Sequence, residues 1–263
     1  MTTAVAHAVL KSGSDRLATR FLIGLTEAAV ALPVVVWVGL PPPILWPWLF
    51  LSAALHVTYQ LVLVRAYDTA DFSLAFPLAR GVAPVMTALL GLVLLNEGLT
   101  LTSLSGIAAV TVGLVLMAAQ KGLRADAVAA AVAAGVLTTA YTLADAYAVR
   151  LAEAPITFIA WFFLLEGLLL APIVVAVRRY GLASAIATDW RTGVAAGFVS
   201  LIGFGAALWA LALAPAGAVS ALRETSVAFA VVIGVLFLKE RLSLRRAIGA
   251  AVITGGAAAI LLG

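Results

Sequence analysis

Long apolar stretches, each close to the length of a bilayer-spanning helix, alternate along this chain with short polar or proline-rich connections. They begin at Leu17, Trp48, Phe72, Thr102, Asp126, Pro155, Gly193, Ala216 and Arg245. About twenty residues at 1.5 Å per residue cross roughly 30 Å of hydrocarbon, so each stretch predicts a membrane span. A tenth, incomplete run precedes Lys11. Its residues make only about 15 Å of helix, which points to a natural start roughly eight to ten residues upstream of Met1. The connections are KSGSDR, GLPPPILWP, YDTAD, NEGLT, KGLRAD, RLAEAP, the longer RRYGLASAIATDWR, APAG and KERLSLRR, and none holds a soluble domain. The opening residues lack a basic leader, and Lys11 and Asp15 stand where a cleavage site would be, so no cleavable signal peptide is expected.

The pattern repeats. Pro77 to Gly113, PLARGVAPVMTALLGLVLLNEGLTLTSLSGIAAVTVG, returns from Ser220 to Gly256 as SALRETSVAFAVVIGVLFLKERLSLRRAIGAAVITGG. Arg80 pairs with Arg223, Gly91 with Gly234, Glu97 with Glu240, Gly106 with Gly249 and Gly113 with Gly256, each pair 143 residues apart (223 − 80 = 143). A constant interval without gaps indicates duplication. The halves meet at KGLRAD, giving predicted domains 1–121 and 122–263 with five spans each. Five is odd, so the second half should enter the membrane inverted. Fainter matches extend outward: Glu27 and Glu166 each lie six positions before a proline, and His7/Lys11 and Tyr141/Asp145 are each four apart, on one helix face. The expected fold is all-α and polytopic, ten transmembrane helices in a five-plus-five inverted repeat with helix 1 incomplete.

With 64% hydrophobic and 11% charged residues, the 263-residue chain departs from soluble globular composition, where about a quarter is charged. The 16 basic residues form no concentrated stripe, so nucleic acid is not an expected partner. Apart from Arg80 and Arg223, thirteen of fourteen lie in or beside odd-numbered connections, Arg150 being the exception. The positive-inside rule then puts those connections in the cytoplasm and both termini outside. There is no cysteine, which removes thiolate metal sites, disulfides and cysteine nucleophiles.

Glu27, Arg80, Glu166 and Arg223 sit within spans, where a charged residue costs roughly 2.5 to 3.5 kcal/mol on insertion scales. They should face the interior, glutamates partnering arginines or sharing a water-filled cavity; ion pairs that only fix packing are the plainer reading. Pro77 and Pro84 bracket Arg80 and suggest either a local break or a packing kink. Gly106, Gly113, Gly249 and Gly256 fit close helix contact, and Glu97 and Glu240 fit capping or pairing at helix ends. Tyr59, Tyr141 and Trp209 offer stacking surface, and Trp46 and Trp48 read as interfacial anchors. His7 with Lys11 and Tyr141 with Asp145 complete the candidate substrate-binding set, which also holds Arg80, Arg223, Tyr59 and Trp209; Glu27 and Glu166 are candidates for proton coupling.

The stretches RAYDTADFSLAFPLARGVAPVMTALLGLVLLNEGLTLTSLSGIAAVTVGLVL and AVSALRETSVAFAVVIGVLFLKERLSLRRAIGAAVITGGAAAILL resemble the paired EamA domains of the drug/metabolite transporter superfamily. The resemblance implies a ten-helix inverted-repeat secondary transporter, usually an exporter of metabolites or amino-acid-like solutes, with a cavity lined by both halves. It also implies cytoplasmic termini, against the charge count. Expected partners are a small-molecule solute and membrane lipids, the chain acting as a monomer or homodimer; no cofactor and no metal is expected. A lipid-modifying membrane enzyme would need a nucleophile with a base or spaced metal ligands, and no HExxH-like cluster occurs. A structural or regulatory membrane subunit would keep the same charges as packing elements.

Overall fold

The computed structural model describes residues 16–67, 72–118, 125–178, 181–229 and 244–263; at 16, 63–67, 72–82, 118, 125–131 and 246 the description is of backbone only. His7, Lys11, Lys239 and Glu240 lie outside the described residues, as does the side chain of Arg80. The described chain is helical: α1 Arg16–Val38, α2 Trp46–Tyr67, α3 Phe72–Leu94, α4 Leu101–Ala118, α5 Ala125–Leu151, α6 Pro155–Val177, α7 Leu182–Leu213, α8 Ala216–Arg223 and α9 Leu244–Leu262. Among the described residues, Leu17–Val38, Val132–Leu151, Pro155–Val177 and Leu182–Leu213 are long and apolar enough to cross a membrane. Ala83–Leu94, Leu101–Met117 and Ala247–Leu262 are shorter apolar helices. The protein is an all-α, multi-pass membrane protein.

Its surface inverts the soluble pattern. Val36, Trp37, Leu40, Val93, Leu213 and Leu262 are exposed, whereas Arg20, Glu27, His56, Gln60, Asp145 and Glu166 are all at least nine-tenths buried. Apolar side chains outside and ionisable ones inside is the arrangement a lipid solvent selects.

Two boundaries depart from expectation, at the start of α7 and at the end of α8. The connection read as RRYGLASAIATDWR is largely helix: Gly181, at φ 88°, supplies the turn and α7 begins one residue later at Leu182. LASAIATDW has no proline or glycine and is rich in good helix formers, so it continues the helix below the apolar stretch. Of the two alternatives open at the Pro-bracketed segment around Arg80, a break is not what occurs: α3 is helical throughout and accommodates Pro77 and Pro84 without ending. A discontinuity occurs instead at the equivalent position in the second half. There α8 stops at Arg223, the Glu224 N–H bonds to the carbonyls of Ala221 and Leu222, and helix resumes at 225–229.

The described chain forms two compact units. One gathers α1, α2 as far as Val64, and the chain from Ala144 to Ala212. Within it α1 packs on α6 and α7 through small residues: a Cβ built on Gly167 would lie 2.8 Å from the Gly24 carbonyl oxygen, and one on Gly197 would lie 2.6 Å from Thr26 Cβ. Leu17, Val57, Leu170 and Val174 form a buried cluster there. Arg150 Nε donates to the Leu211 carbonyl at 2.8 Å near the C-terminus of α7, so the one basic residue in an even connection serves a helix end.

The other unit holds Arg65–Leu143 and Leu213–Gly263. In it α4 and α9 run antiparallel in close contact. A Cβ on Gly106 would meet the Gly256 carbonyl oxygen at 2.6 Å, and one on Gly256 the Gly106 oxygen at 2.7 Å. Gly113 and Gly249 exchange the same relation at 2.8 and 2.9 Å. The four glycines singled out by the repeat therefore let two backbones touch, as small residues do in membranes. Val110, Leu114 and Ile253 fill the seam beside them.

Candidate functional site

Three polar residues lie at i, i+4 and i+8 on α2, Ser52, His56 and Gln60, and this spacing sets them on one helix face. All are buried. The stripe spans about 12 Å at 1.5 Å per residue, and two carboxylates from neighbouring helices meet its two ends. Ser52 donates its hydroxyl to Asp145 Oδ1, and His56 Nε2 donates to Asp145 Oδ2 at 2.9 Å. The imidazole stands edge-on to Phe162 and Phe204, with centroids 4.8 and 4.9 Å away, so apolar rings wall this pair.

At the other end Gln60 Nε2 donates to Glu166 Oε1. Arg20, from α1, donates Nη2 to the same oxygen at 3.0 Å and reaches Glu27 Oε2 with Nη1 and Nη2 at 3.3 and 3.4 Å. Arg20 and Glu27 are seven residues apart, two helical turns, so both project from one face of α1. One guanidinium thus joins two carboxylates, with Gln60 adding a neutral contact. The fork geometry of arginine, five donors in a plane, makes such a bridge possible where a lysine would not serve equally well.

The glutamates singled out in the sequence therefore do partner an arginine, but it is Arg20. By charge pattern Arg20 counts among the basic residues beside the first connection, yet its side chain is buried. Asp145 also finds a partner that the sequence did not supply, His56. Tyr141 is buried four residues earlier on α5, and its ring stands 5.8 Å from the Arg223 guanidinium, a cation–π contact. Tyr59 is half-buried on α2. Trp209 is 44% exposed and borders an apolar groove of about 350 Å³ with Val30, Ile159, Phe163, Ile202 and Gly205. Among the described residues no three His, Cys, Asp or Glu side chains converge to hold a metal ion.

Glu97 has a separate place. The chain turns back at Asn96, which has φ 52°, and the Glu97 carboxylate accepts the Ala216 N–H at 2.9 and 3.0 Å, capping α8. A Cβ on Gly91 would lie 2.5 Å from Glu97 Oε2, so that glycine leaves room for the carboxylate. Negative charge at a helix N-terminus is favourable by dipole and hydrogen bond together. Trp46 stacks edge-on with Trp161 at 5.0 Å, and Trp161 Nε1 donates to the Gly39 carbonyl at 2.8 Å, tying the proline-rich turn down.

One solved crystal structure, titled only as that of a protein, is similar over 99% of this chain and 92% of its own, with a TM-score of 0.71 and 19% sequence identity. At that identity the likeness concerns the fold alone. No curated protein matches the sequence significantly. Residues 2–119 and 126–262 each match the family model described as EamA-like transporter family.

Proposed function

Because the chain belongs to the EamA-like transporter family, we propose that it is a secondary active transporter that exports small metabolites or amino-acid-like solutes by alternating access. The observation that carries this reading is the buried bridge of Arg20 between Glu27 and Glu166 inside the apolar bundle. Ionisable groups at membrane depth are costly, and three of them converge from two helices with their hydrogen bonds mutually arranged.

The same reading takes the chain as a five-plus-five inverted repeat, with halves 1–121 and 122–263. Reciprocal contacts support it: Gly106 meets Gly256 while Gly113 meets Gly249, and 249 and 256 are the repeat counterparts of 106 and 113. A residue touching its partner's counterpart, and the converse, is what a two-fold axis between inverted copies produces. Gly24 and Gly167, also 143 apart (167 − 24 = 143), meet each other in the same way.

In this mechanism Glu27 and Glu166 exchange a proton as the cluster opens to one side and then the other. Arg223 with Tyr141, and Asp145 with His56, contribute polar contacts for the solute, together with Arg80, Tyr59, Trp209, His7 and Lys11. The test is uptake into proteoliposomes under an imposed pH gradient. Wild type should respond to the gradient, and Glu27→Gln or Glu166→Gln should transport with the response lost. Unchanged pH dependence in both variants removes the proton role.

A further inference from the structure

We propose that His56 and Asp145 form a second proton-binding site, which takes up and releases one proton independently of Glu27 and Glu166. The inference goes beyond the solute contact given to this pair above.

Geometry supplies the first argument. His56 Nε2 lies 2.9 Å from Asp145 Oδ2 and the Ser52 hydroxyl donates to Oδ1, so both carboxylate oxygens already accept. An ionised carboxylate only accepts, which makes Nε2 the donor and leaves the proton of the other ring nitrogen as the exchangeable one. With that proton the ring is imidazolium and the pair is neutral; without it the ring is neutral and Asp145 alone is charged. Uptake forms one N–H bond on the ring at the expense of a hydronium ion, and release returns the proton to water. A metal ion suits the place poorly. Calcium takes six or more oxygen ligands and magnesium holds to near-octahedral geometry, whereas this carboxylate is occupied by two donors. Phe162 and Phe204 close on the imidazole with centroids at 4.8 and 4.9 Å, and a proton adds no volume between them.

Charge supplies the second, independently. Arg20, Glu27, Asp145 and Glu166 are each at least nine-tenths buried, so among the described residues of this unit one buried cation stands against three buried carboxylates. A proton shared by Glu27 and Glu166 balances the Arg20 cluster and leaves Asp145 charged at the other end of the stripe. An uncompensated charge in apolar surroundings is costly. Histidine is the side chain whose charge ordinarily changes between about pH 5 and 8, and here it touches that carboxylate directly.

The groups around the ring keep the two sites apart. Helix α5 presents Asp145, with Tyr141 four residues before it; α6 presents Phe162 and, one turn on, Glu166; α7 presents Phe204. On α2 itself Ser52 lies one turn before His56, and Tyr59 and Gln60 lie one turn after. The neutral amide of Gln60 stands along the stripe between His56 and Glu166, and Arg20 and Glu27 of α1 lie beyond Glu166. The pair also joins α2, before residue 121, to α5, after it. On the transport reading, parting the two halves wets the ring, the proton leaves to the open side, and the closed carrier holds two protons.

The experiment needs no solute, so it is decided apart from transport. The chain has two histidines, and His7→Gln leaves His56 alone. With the imidazole nitrogens isotope-labelled and the full-length protein in lipid nanodiscs, nuclear magnetic resonance distinguishes imidazole from imidazolium. The sample is taken from about pH 9 to about pH 5 and back, on either side of the ordinary histidine value of about 6.5. His56 is expected to convert completely, in one reversible step, and Glu27→Gln or Glu166→Gln, added singly, should leave that conversion complete. A pH-stat titration over the same range should count about one proton per chain fewer in His56→Gln than in its parent, one exchangeable proton per ring. A ring that stays imidazolium throughout, or imidazole throughout, overturns the proposal and makes the pair a fixed clasp. So does a conversion abolished by Glu27→Gln or Glu166→Gln, which would make the two sites one. If His7→Gln does not fold, judged by its melting curve, the wild-type signals are assigned by the loss of one in His56→Gln and the same outcomes apply. Counterflow of a solute with an unchanging ring leaves the transport reading standing and removes this site. Conversion of His56 in a protein that shows no counterflow leaves the proton site standing and removes the transport reading.

Discussion

Removing Arg20 should unbalance the structure more than removing either glutamate. Its guanidinium lies 3.0 Å from Glu166 and 3.3 Å from Glu27. At about 4 Å and an effective dielectric near 20, one unit-charge pair is worth about 4 kcal/mol. In Arg20→Met both attractions vanish, and two buried carboxylates are left facing each other across an apolar side chain. Breaking a buried ion pair from one side costs about 3 to 5 kcal/mol. At about 2 to 4 °C per kcal/mol for a chain of this size, that is a fall of roughly 6 to 20 °C in melting temperature. Glu27→Gln or Glu166→Gln should fall much less, because Arg20 keeps one carboxylate. The triple variant Arg20→Met, Glu27→Gln, Glu166→Gln should recover most of the loss, since no charge remains buried. The assay is thermal unfolding of the detergent-purified protein, followed by tryptophan fluorescence. An Arg20→Met protein melting within about 2 °C of wild type, under about 1 kcal/mol on the same scale, would refute the reasoning. So would a triple variant no more stable than Arg20→Met.

Other outcomes follow from the same geometry. Gly113→Ala sets a methyl 2.8 Å from the Gly249 carbonyl oxygen and should destabilise by about 1 to 3 kcal/mol through overpacking, read as a lower melting temperature. Gly98→Ala, where nothing lies within 4 Å, should not. Glu97→Ala should cost about 1 kcal/mol by removing the cap on Ala216, while Glu97→Gln, still an acceptor, should cost less in the same assay. Asp145→Asn should slow transport more than it lowers stability, because the amide oxygen still accepts from one of Ser52 and His56 while the other, a hydroxyl or an imidazole nitrogen, can turn to accept from the new N–H2 group; equal losses in both would assign the pair to packing. Gly98→Cys and Ser243→Cys, in a chain with no native cysteine, should react with an impermeant thiol reagent from opposite sides of the membrane. Labelling from the same side would exclude the inverted repeat.

The fold was largely legible because a lipid solvent writes itself into apolar length: the starts of α1 to α6 lie within a few residues of the apolar stretches. The start of α7 was hidden because LASAIATDW is less apolar than the span it precedes, and hydropathy marks membrane, not helix. The glycine contacts of α4 and α9 were legible because the repeat flagged them. The buried chemistry was only half legible, for a related reason. A repeat picks out residues that have a counterpart, and 143 positions after Arg20, Ser52, His56 and Gln60 stand Phe163, Ala195, Val199 and Gly203. The cluster is asymmetric although the sequence repeats. The stripe of Ser52, His56 and Gln60 at fourfold spacing in an apolar helix was the signal that could have exposed it.

The central claim is alternating access, and counterflow measures it most directly. Proteoliposomes holding the purified protein are preloaded with unlabelled solute, one chemical class at a time, and challenged with the labelled form outside. Preloading should accelerate labelled entry for one class, saturably, because the loaded carrier returns faster than the empty one. Entry that is linear in concentration and indifferent to preloading for every class would contradict it.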